Sequence, residues 1–445
     1  MEVLDGNIIA TALPQMAQSF GIDVLNLNVA MSAYLLALGI CIPVSGWIAD
    51  RFGPRRVFAG AIAGFTVTSL ACGLVEHLPT FVAARVLQGA SGALMVPVGR
   101  LLVLRHTPAK GRMAAMSNLV WPALVAPVIA PPLGGFIATH ASWHWIFFLN
   151  VPLGVLAFAL ALRLIPSVVP ESGYKRFDWL GFSLSSTGIF ALLTGLERLA
   201  IAPTLAEVLW LAVGLGLLAL AVHHFRLTSS PMLNLEPMGI PTFRVAVMGG
   251  SVSRMAISSL PFVLPLMFQI GFGFDAFRAG LQLLVVFVGN VGMKTVTTPI
   301  LRRFGYRRVI LVNGIFAALC LAACALIDLN SSSGVVVSIL LLSGMTRSMQ
   351  FTSLGTIAFA DVPQRQMADA NSLFNVVSQL SMAAGITLTS LGVRVGEWLV
   401  SLRLSLDPAA PYKVALMLGA LMTLISLVDA WHLPKGAGDH FIDRR

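Results

Sequence analysis

Residues 50–57 read DRFGPRRV, a short basic segment between two long apolar runs. Residues 302–309 read RRFGYRRV, and they also lie between two apolar runs. Six of the eight positions are identical in the two copies. The same loop therefore occurs once in each half of the chain, which indicates an internal repeat.

A second matching pair supports the repeat. Arg85 and Gln88 lie three residues apart in the first half, and Arg347 and Gln350 have the same spacing in the second. Two matches in one order are much harder to obtain by chance than one arginine-rich match. Parallel repeats of this kind are a transporter architecture, with the substrate site at the membrane midplane between the halves.

The composition places the whole chain in a membrane. Of its 445 residues 57% are hydrophobic and 11% are charged, whereas a soluble domain has about a quarter charged residues. Apolar stretches of about 20 residues recur along the sequence, long enough to cross the bilayer as helices. The sequence therefore predicts an all-α integral membrane protein.

The apolar runs predict about fourteen transmembrane helices, arranged as two six-helix bundles plus two extra central helices. We expect a first bundle at 1–165, the extra pair with its loops at 166–242, and a second bundle with a short tail at 243–445. The predicted spans are 2–20, 27–49, 57–75, 80–103, 113–138, 145–165, 178–197, 204–224, 245–270, 278–300, 307–327, 335–359, 371–393 and 412–432.

The distribution of positive charge predicts the orientation. Most lysines and arginines lie in the loops after even-numbered spans and in the C-terminal tail, which places those loops and both termini in the cytoplasm. The net charge of +10 comes from short loops and not from a basic-aromatic patch, so we expect contact with lipid and no nucleic acid. The predicted location is the bacterial inner membrane.

The N-terminus and the cysteines carry further expectations. The first residues lack a basic region, so no cleavable signal peptide is expected. Asp5 and Asn7 lie near the start of the first span, so either this helix is short or the natural protein begins upstream, and we favour the second. The cysteines lie inside apolar runs, where a free cysteine behaves as a small hydrophobe. We expect no disulfide, no metal, no cofactor and no enzyme activity.

The repeated loop carries the first family resemblance. Its first copy resembles the signature loop between helices 2 and 3 of the major facilitator superfamily, G-x-x-x-D-R-x-G-x-R-R. The matching residues are Gly46, Asp50, Arg51, Gly53, Arg55 and Arg56.

Each part of this loop has a physical interpretation. Gly46 is expected to let a neighbouring helix approach closely, and Gly53 to permit a tight turn. Asp50 is expected to accept from a helix N-terminus in the other half, near Asn371, as a cytoplasmic latch. Because Arg302 replaces the aspartate in the second copy, the latch would be one-sided. The alternative is that the arginines only fix the topology.

Arg85 and Gln88 share a helix face, and an arginine within a span normally faces a cavity or a partner. The segment resembles the family motif R-x-x-Q-G, which implies that Arg85 tunes a nearby carboxylate in proton coupling. The alternative is an arginine that extends to the membrane surface.

Small residues at every fourth position of the fifth span predict close helix packing. The span resembles the antiporter motif g-x-x-x-G-P-x-x-G-G, which is found in exporters of the superfamily and generally not in its uptake symporters. The alternative is any tightly packed membrane helix. The matching residues are Ala126, Ala130, Pro131, Gly134 and Gly135.

Residues 4–14 read LDGNIIATALP and resemble the helix 1 motif of the fourteen-helix drug:proton antiporters, L-D-x-T-I-V-N-x-A-L-P. The resemblance implies that Asp5, with Asn7 beside it, binds a proton and substrate alternately. Residues 143–154, WHWIFFLNVPLG, resemble the entry to helix 6 of the same subfamily.

Three further cations lie within predicted spans: Arg254, Lys294 and Arg347. Asp5 is the only clearly intramembrane acid in the sequence, with Glu2 at its edge. A pocket with more cations than carboxylates attracts anionic or neutral amphipathic compounds better than multiply charged cations. We expect Arg254, Arg347 and Gln350 to contribute to the coupling or substrate site.

Together these features predict proton-driven export of drug-like amphipathic compounds by alternating access. The alternatives are an exporter of a metabolite or siderophore, an uptake symporter, and a non-transporting receptor or scaffold. The expected partners are a small-molecule substrate, protons and the bilayer, with an adaptor and an outer-membrane channel as further candidates. A monomer is the expected functional unit.

Overall fold

The computed structural model describes residues 1–106, 112–166, 177–201, 204–402, 407–434 and 436–438, which are helical with short connections. We number the α-helices in chain order. They are α1 (Glu2–Ile8), α2 (Leu13–Phe20), α3 (Asn28–Phe52), α4 (Pro54–Leu74), α5 (Leu78–His106), α6 (Arg112–His140), α7 (His144–Phe148), α8 (Asn150–Leu164), α9 (Trp179–Ile201), α10 (Leu205–Leu227), α11 (Pro241–Leu266), α12 (Ala276–Phe304), α13 (Tyr306–Ala325), α14 (Ser333–Ala360), α15 (Met367–Ser401) and α16 (Ala410–Trp431).

Twelve helices in the described residues are long and apolar enough to cross a membrane. The chain is therefore a multi-pass membrane protein, as its composition predicts. The two predicted spans outside this count are 2–20, which α1 and α2 share, and 113–138, which lies within the 29-residue helix α6. The predicted total of fourteen crossings stays a prediction.

Contacts divide the chain into two compact units. Unit 1 consists of Met1–Gly195 and Thr204–Leu233, and unit 2 consists of Leu196–Pro203 and Asn234–Arg445. Unit 1 thus includes α1 to α8, most of α9, and α10. The three-part division at 1–165, 166–242 and 243–445 stays a prediction.

The first predicted span is a broken helix. A 3-10 turn over Ile9–Thr11 separates α1 from α2. Pro14 has no amide proton and cannot continue the hydrogen-bond ladder of a preceding helix, so the break falls just before it. The Thr11 hydroxyl instead donates to Ile8 O at 3.2 Å.

The repeated loop has the same backbone in both copies. Gly53 has φ 87° between α3 and α4, and Gly305 has φ 76° between α12 and α13. Only glycine adopts this conformation readily, so the predicted tight turn at Gly53 is confirmed. The matching residue of the second copy makes the same turn.

The two loops also make equivalent side-chain contacts. Arg55 Nη2 donates to Leu162 O in the last turn of α8, and Arg307 Nη2 donates to Trp431 O at the end of α16. Helix C-termini leave carbonyls unpaired and carry partial negative charge. These arginines therefore cap the C-terminal ends of α8 and α16, a role beyond fixing the topology.

One expectation about the first loop is wrong and another stays a prediction. A Cβ on Gly46 would meet no atom within 4 Å among the described residues, and the close approach of a neighbouring helix at Gly46 stays a prediction. Asn371 is not the start of its helix, because a 3-10 turn ends at Gln366 and α15 begins at Met367. Asn371 instead accepts from Asn375 Nδ2 at 3.1 Å.

Asp178 joins α9, α10 and the segment after α10. Its carboxylate accepts from Gly181 N at 2.8 Å, His224 Nε2 at 2.8 Å and Met232 N at 3.1 Å. Burial acts to raise the pKa of Asp178, but these donors outweigh it and hold the pKa below its ordinary value.

Replacing Asp178 with Asn is expected to destabilise the protein by roughly 1–3 kcal/mol at neutral pH, because three donors lose a charged acceptor. Folding lowers the pKa of Asp178. The stabilisation is therefore fully present above the pKa of the unfolded state, about 3.9, and is lost as the pH falls through the lower pKa of the folded state. Thermal unfolding of both proteins from about pH 8 to about pH 4 measures the difference. A difference that already narrows above about pH 5 would contradict this account.

A buried ion pair on the first helix and its supports

The residues Asp5 and Arg85 meet inside unit 1. Arg85 Nη1 lies 2.6 Å from Asp5 Oδ2, and both side chains are almost completely buried, with exposed fractions of 2% and 0%. The interpretation of Arg85 as a cation that extends to the membrane surface is therefore wrong. A lone buried charge is strongly unfavourable, and this pairing offsets the desolvation of each ion.

Two amides complete the shell of the carboxylate. Gln88 Nε2 donates to Asp5 Oδ1 at 3.2 Å, and Asn150 Nδ2 donates to the same oxygen at 2.9 Å. Ser69 Oγ accepts from both amides, at 2.7 Å from Gln88 and 3.1 Å from Asn150. The network thus links α1, α4, α5 and α8 through a single acidic side chain.

The arginine is held from both sides. Its Nη1 also donates to Gln88 Oε1, one helical turn away on α5. The guanidinium carbon lies 4.0 Å from the ring centre of Tyr34, which is buried on α3. A cation over an aromatic face is stabilised further when water is excluded, so the position of Arg85 is set independently of Asp5.

The small-residue stripe of α6 packs against the broken first helix. A Cβ on Gly134 would lie 2.4 Å from Ile8 O and 2.8 Å from Thr11 Oγ1. Thr11 Oγ1 also donates to Pro131 O at 3.3 Å. Of the other stripe residues, Ala130 and Gly135 are buried and Ala126 is half-buried. This motif therefore supports the backbone one turn beyond Asp5.

Other predicted coupling residues lie elsewhere. Asn7 does not join the Asp5 network, because its Nδ2 donates to Val3 O at 2.7 Å within α1. In unit 2, Gln350 is buried and accepts from Asn313 Nδ2 at 2.9 Å. Arg254 is buried, and its guanidinium carbon lies 4.5 Å from the ring centre of Phe374.

The charged residues of the loop motif are at the surface. Asp50, Arg51 and Arg56 are exposed, and the Arg51 guanidinium carbon lies 5.3 Å from the ring centre of Trp47. Asp50 belongs to unit 1 and Asn371 to unit 2, and the latch between them stays a prediction.

Sequence reasoning missed Asn150, Ser69 and Tyr34 as members of the network. Asn150 lies inside the segment 143–154 and is a polar amide at the start of α8. A search for isolated polar residues in apolar runs would find Asn150. It would not single out Ser69, because Ser and Thr commonly bond to their own helix.

The arrangement balances one buried acid against one buried arginine. Ionised Asp5 accepts three hydrogen bonds and balances Arg85. When Asp5 takes a proton it loses its charge, and the Arg85 guanidinium then lacks a counter-ion. The buried pair therefore depends on both groups keeping their charges.

Gly134→Val is expected to destabilise the protein by about 1–3 kcal/mol, because the new side chain overlaps Ile8 O. The matched control is Gly60→Val on α4, since a Cβ there would meet no atom within 4 Å in the described structure. Thermal unfolding in detergent compares the two variants with the unchanged protein. Equal losses at both glycines would rule out close packing as the cause.

Asp5→Asn and Arg85→Gln are each expected to lower stability by about 3–5 kcal/mol, because each leaves an unpaired buried partner. The double variant should lose clearly less stability than the sum of the losses in the two single variants. Thermal unfolding of all four proteins gives the coupling energy. Additive losses within about 0.5 kcal/mol would argue against a functioning ion pair.

Comparison with known proteins identifies the family. A family model described as the Major Facilitator Superfamily matches residues 1–386. A multidrug resistance protein named MdtD from Klebsiella pneumoniae is 37% identical over 460 residues, covering 100% of this chain and 94% of the relative. MdtD from Salmonella typhimurium is 36% identical, covering 97% of this chain and 91% of the relative.

Solved structures give the same fold. An auto-inhibited peptide transporter of the POT family superposes with a TM-score of 0.67 at 14% identity, covering 98% of this chain and 96% of that one. A D-xylose-proton symporter gives 0.66 at 14% identity, with the same coverage. The predicted major facilitator fold is confirmed. The chain belongs to the major facilitator superfamily, a family of membrane transporters and not of enzymes.

Proposed function

We propose that this protein is a proton-coupled exporter of drug-like amphipathic small molecules that works by alternating access. The observation that carries the proposal is the Asp5 carboxylate, which is completely buried and holds a buried arginine by a direct ion pair. An ionisable pair inside a membrane protein is expensive, and a proton pathway is one of its main uses. The two curated relatives described above are named as multidrug resistance proteins, which supports export of foreign compounds.

In the proposed cycle, Asp5 is alternately ionised, when it pairs with Arg85, and protonated. With Asp5 ionised, the ion pair with Arg85 is closed and the first helix is held against α5. A proton arriving at Asp5 removes the carboxylate charge, opens the ion pair and favours release of substrate to the outside. Loss of that proton to the cytoplasm restores the pair. Export against a gradient is then driven by protons moving inward.

The substrate preference follows from charge. Arg254 is buried, and it makes no ion pair with a carboxylate in the described part of the chain. An excess of cations in unit 2 favours neutral or anionic amphipathic compounds over dicationic dyes. An exporter of a specific metabolite is the second candidate, because fixed buried arginines also suit one defined acidic substrate.

The same proposal covers the membrane, the orientation, the oligomeric state and the partners of the transporter. We place it in a bacterial inner membrane with both termini in the cytoplasm, in agreement with the positive loops. The functional unit is a monomer. An adaptor and an outer-membrane channel are candidate partners for carrying substrate onward.

The proposal is tested by proton flux in proteoliposomes that contain the full chain. With an imposed substrate gradient, the unchanged protein should move protons, and Asp5→Asn should reduce this flux to the level of protein-free liposomes. Asp275→Asn is the matched control, because Asp275 is an exposed helix cap and asparagine caps equally well. This control should keep full flux.

Candidate substrates are an anionic, a neutral and a dicationic fluorescent amphiphile. Full transport by Asp5→Asn, or transport that a protonophore leaves unchanged in cells, would refute proton coupling. Dicationic dyes as the best substrates would refute the charge preference and leave proton coupling intact.

A further inference from the structure

Asn150 uses one end of its side-chain amide and leaves the other end unpaired. The residue is 1% exposed, and its Nδ2 atom donates to Asp5 Oδ1 at 2.9 Å and to Ser69 Oγ at 3.1 Å. The Oδ1 atom of Asn150 is shut off from solvent and has no hydrogen-bond partner among the described residues. Buried polar atoms are nearly always paired, so this oxygen is an exception that remains available to accept a hydrogen bond.

Gln88 provides the comparison, because its amide contacts the same two acceptors. Its Nε2 atom donates to Asp5 Oδ1 at 3.2 Å and to Ser69 Oγ at 2.7 Å. Its Oε1 atom, however, accepts from Arg85 Nη1. Reversing the Gln88 amide would turn its NH₂ group toward the guanidinium, which would place donor against donor. The Gln88 amide is therefore fixed at both ends, whereas the Asn150 amide is held only at its nitrogen.

A protonated Asp5 would have a hydrogen to donate, and the groups around its carboxylate offer no acceptor for it. The hydrogen bonds to Asp5 in the described structure come from the NH₂ groups of Gln88 and Asn150 and from the guanidinium of Arg85. These three groups carry donors only. The arrangement suits an ionised acid, and a neutral acid would keep an unpaired O–H unless one neighbour changed its orientation.

A half-turn of the Asn150 amide supplies the missing acceptor. The terminal torsion of an asparagine side chain has two broad settings of similar energy, and the two ends of the amide differ little in size. After the half-turn, Oδ1 takes the place of Nδ2, where it can accept from the Asp5 hydroxyl. Ser69 can also donate to it, because a hydroxyl proton rotates to suit its neighbours. One end of the amide is paired in each setting, so the charge of Asp5 decides between them.

We propose that Asn150 is the positioning residue for the proton on Asp5: its amide donates to the carboxylate and reverses to accept from the carboxyl group when Asp5 is protonated. This inference rests on the proposed function, which places a proton on Asp5, and deepens it by naming the group that holds that proton. Asn150 is the first residue of α8. Protonation of Asp5 thus exchanges donor and acceptor in the hydrogen bond between α1 and α8.

The other ionisable groups that interact electrostatically with Asp5 lie on α1, α3, α4 and α5. They are Glu2, Tyr34, Cys72 and Arg85. None of them is altered by a substitution of Asn150. A changed pH dependence in an Asn150 variant therefore reports on the amide and not on the loss of another titrating group.

Infrared difference spectroscopy of the purified full chain, between alkaline and acid buffer, tests the reversal directly. The unchanged protein should show a shift of an asparagine side-chain amide band as Asp5 gains its proton. This shift should vanish in Asp5→Asn and in Asn150→Leu. Asn330→Leu, the same substitution at an exposed position, should keep it. Asn150→Ser assigns the band equally well if Asn150→Leu does not fold, because it also removes the amide.

Proton flux in proteoliposomes measures the consequence for transport. Asn150→Leu should lower the flux by roughly tenfold, the factor expected for one hydrogen bond. The loss should persist at every pH at which the unchanged protein works, because both charge states of Asp5 lose their partner. If Asn150 served only as a donor to the carboxylate, its removal would make Asp5 hold the proton longer, and the flux would recover in alkaline buffer.

That recovery would overturn the proposal, as would an amide shift that is absent from the unchanged protein or that survives in Asn150→Leu. The two measurements also separate this inference from the proposed function. Full flux in Asp5→Asn would refute proton coupling, but an amide shift lost in both Asp5→Asn and Asn150→Leu would still support the reversal. Loss of flux in Asp5→Asn together with full flux in Asn150→Leu would refute only the role of Asn150.

Discussion

The energetics of unit 1 depend on one constraint: a charge in a medium that excludes water must have a partner. Asp5 and Arg85 are partners for each other, with Arg85 Nη1 at 2.6 Å from Asp5 Oδ2. The side-chain amides of Gln88 and Asn150 donate hydrogen bonds to the other carboxylate oxygen, Asp5 Oδ1. Removing either ion would leave the other uncompensated, at a penalty of several kcal/mol. The first helix is therefore tied to α4, α5 and α8 by polar contacts as well as by packing.

Close backbone packing makes this polar cluster possible. Gly134 and Pro131 on α6 contact the broken segment between α1 and α2, and Gly89 on α5 approaches Tyr34 O on α3, where a Cβ would lie only 2.4 Å away. Helices in lipid gain little from hydrophobic burial against each other, so close contact and hydrogen bonds supply the association. The small residues thus determine how near the ionisable groups come to one another.

The two copies of the repeat share several structural features but differ in their ionisable residues. Both units retain a turn at a positive-φ glycine, an arginine that caps the C-terminal end of a helix, and an arginine paired in sequence with a glutamine. They differ in the counter-charge, which is an aspartate on the first helix of unit 1, whereas the apolar Ile257 lies as far before Arg302 as Asp5 lies before Asp50. The two copies thus share their turn and helix cap and differ in their ionisable residues.

The sequence by itself determined the membrane-spanning class, the helical fold, the repeat and the superfamily, because hydropathy, spacing and glycine-containing turns are local properties of the chain. It also identified Asp5 and Arg85 as unusual, because charges are rare in apolar runs. It did not determine that they pair with each other, or that Asn150 and Ser69 complete their shell. Those facts depend on the rotation and separation of helices distant in sequence, and only tertiary packing sets which faces meet.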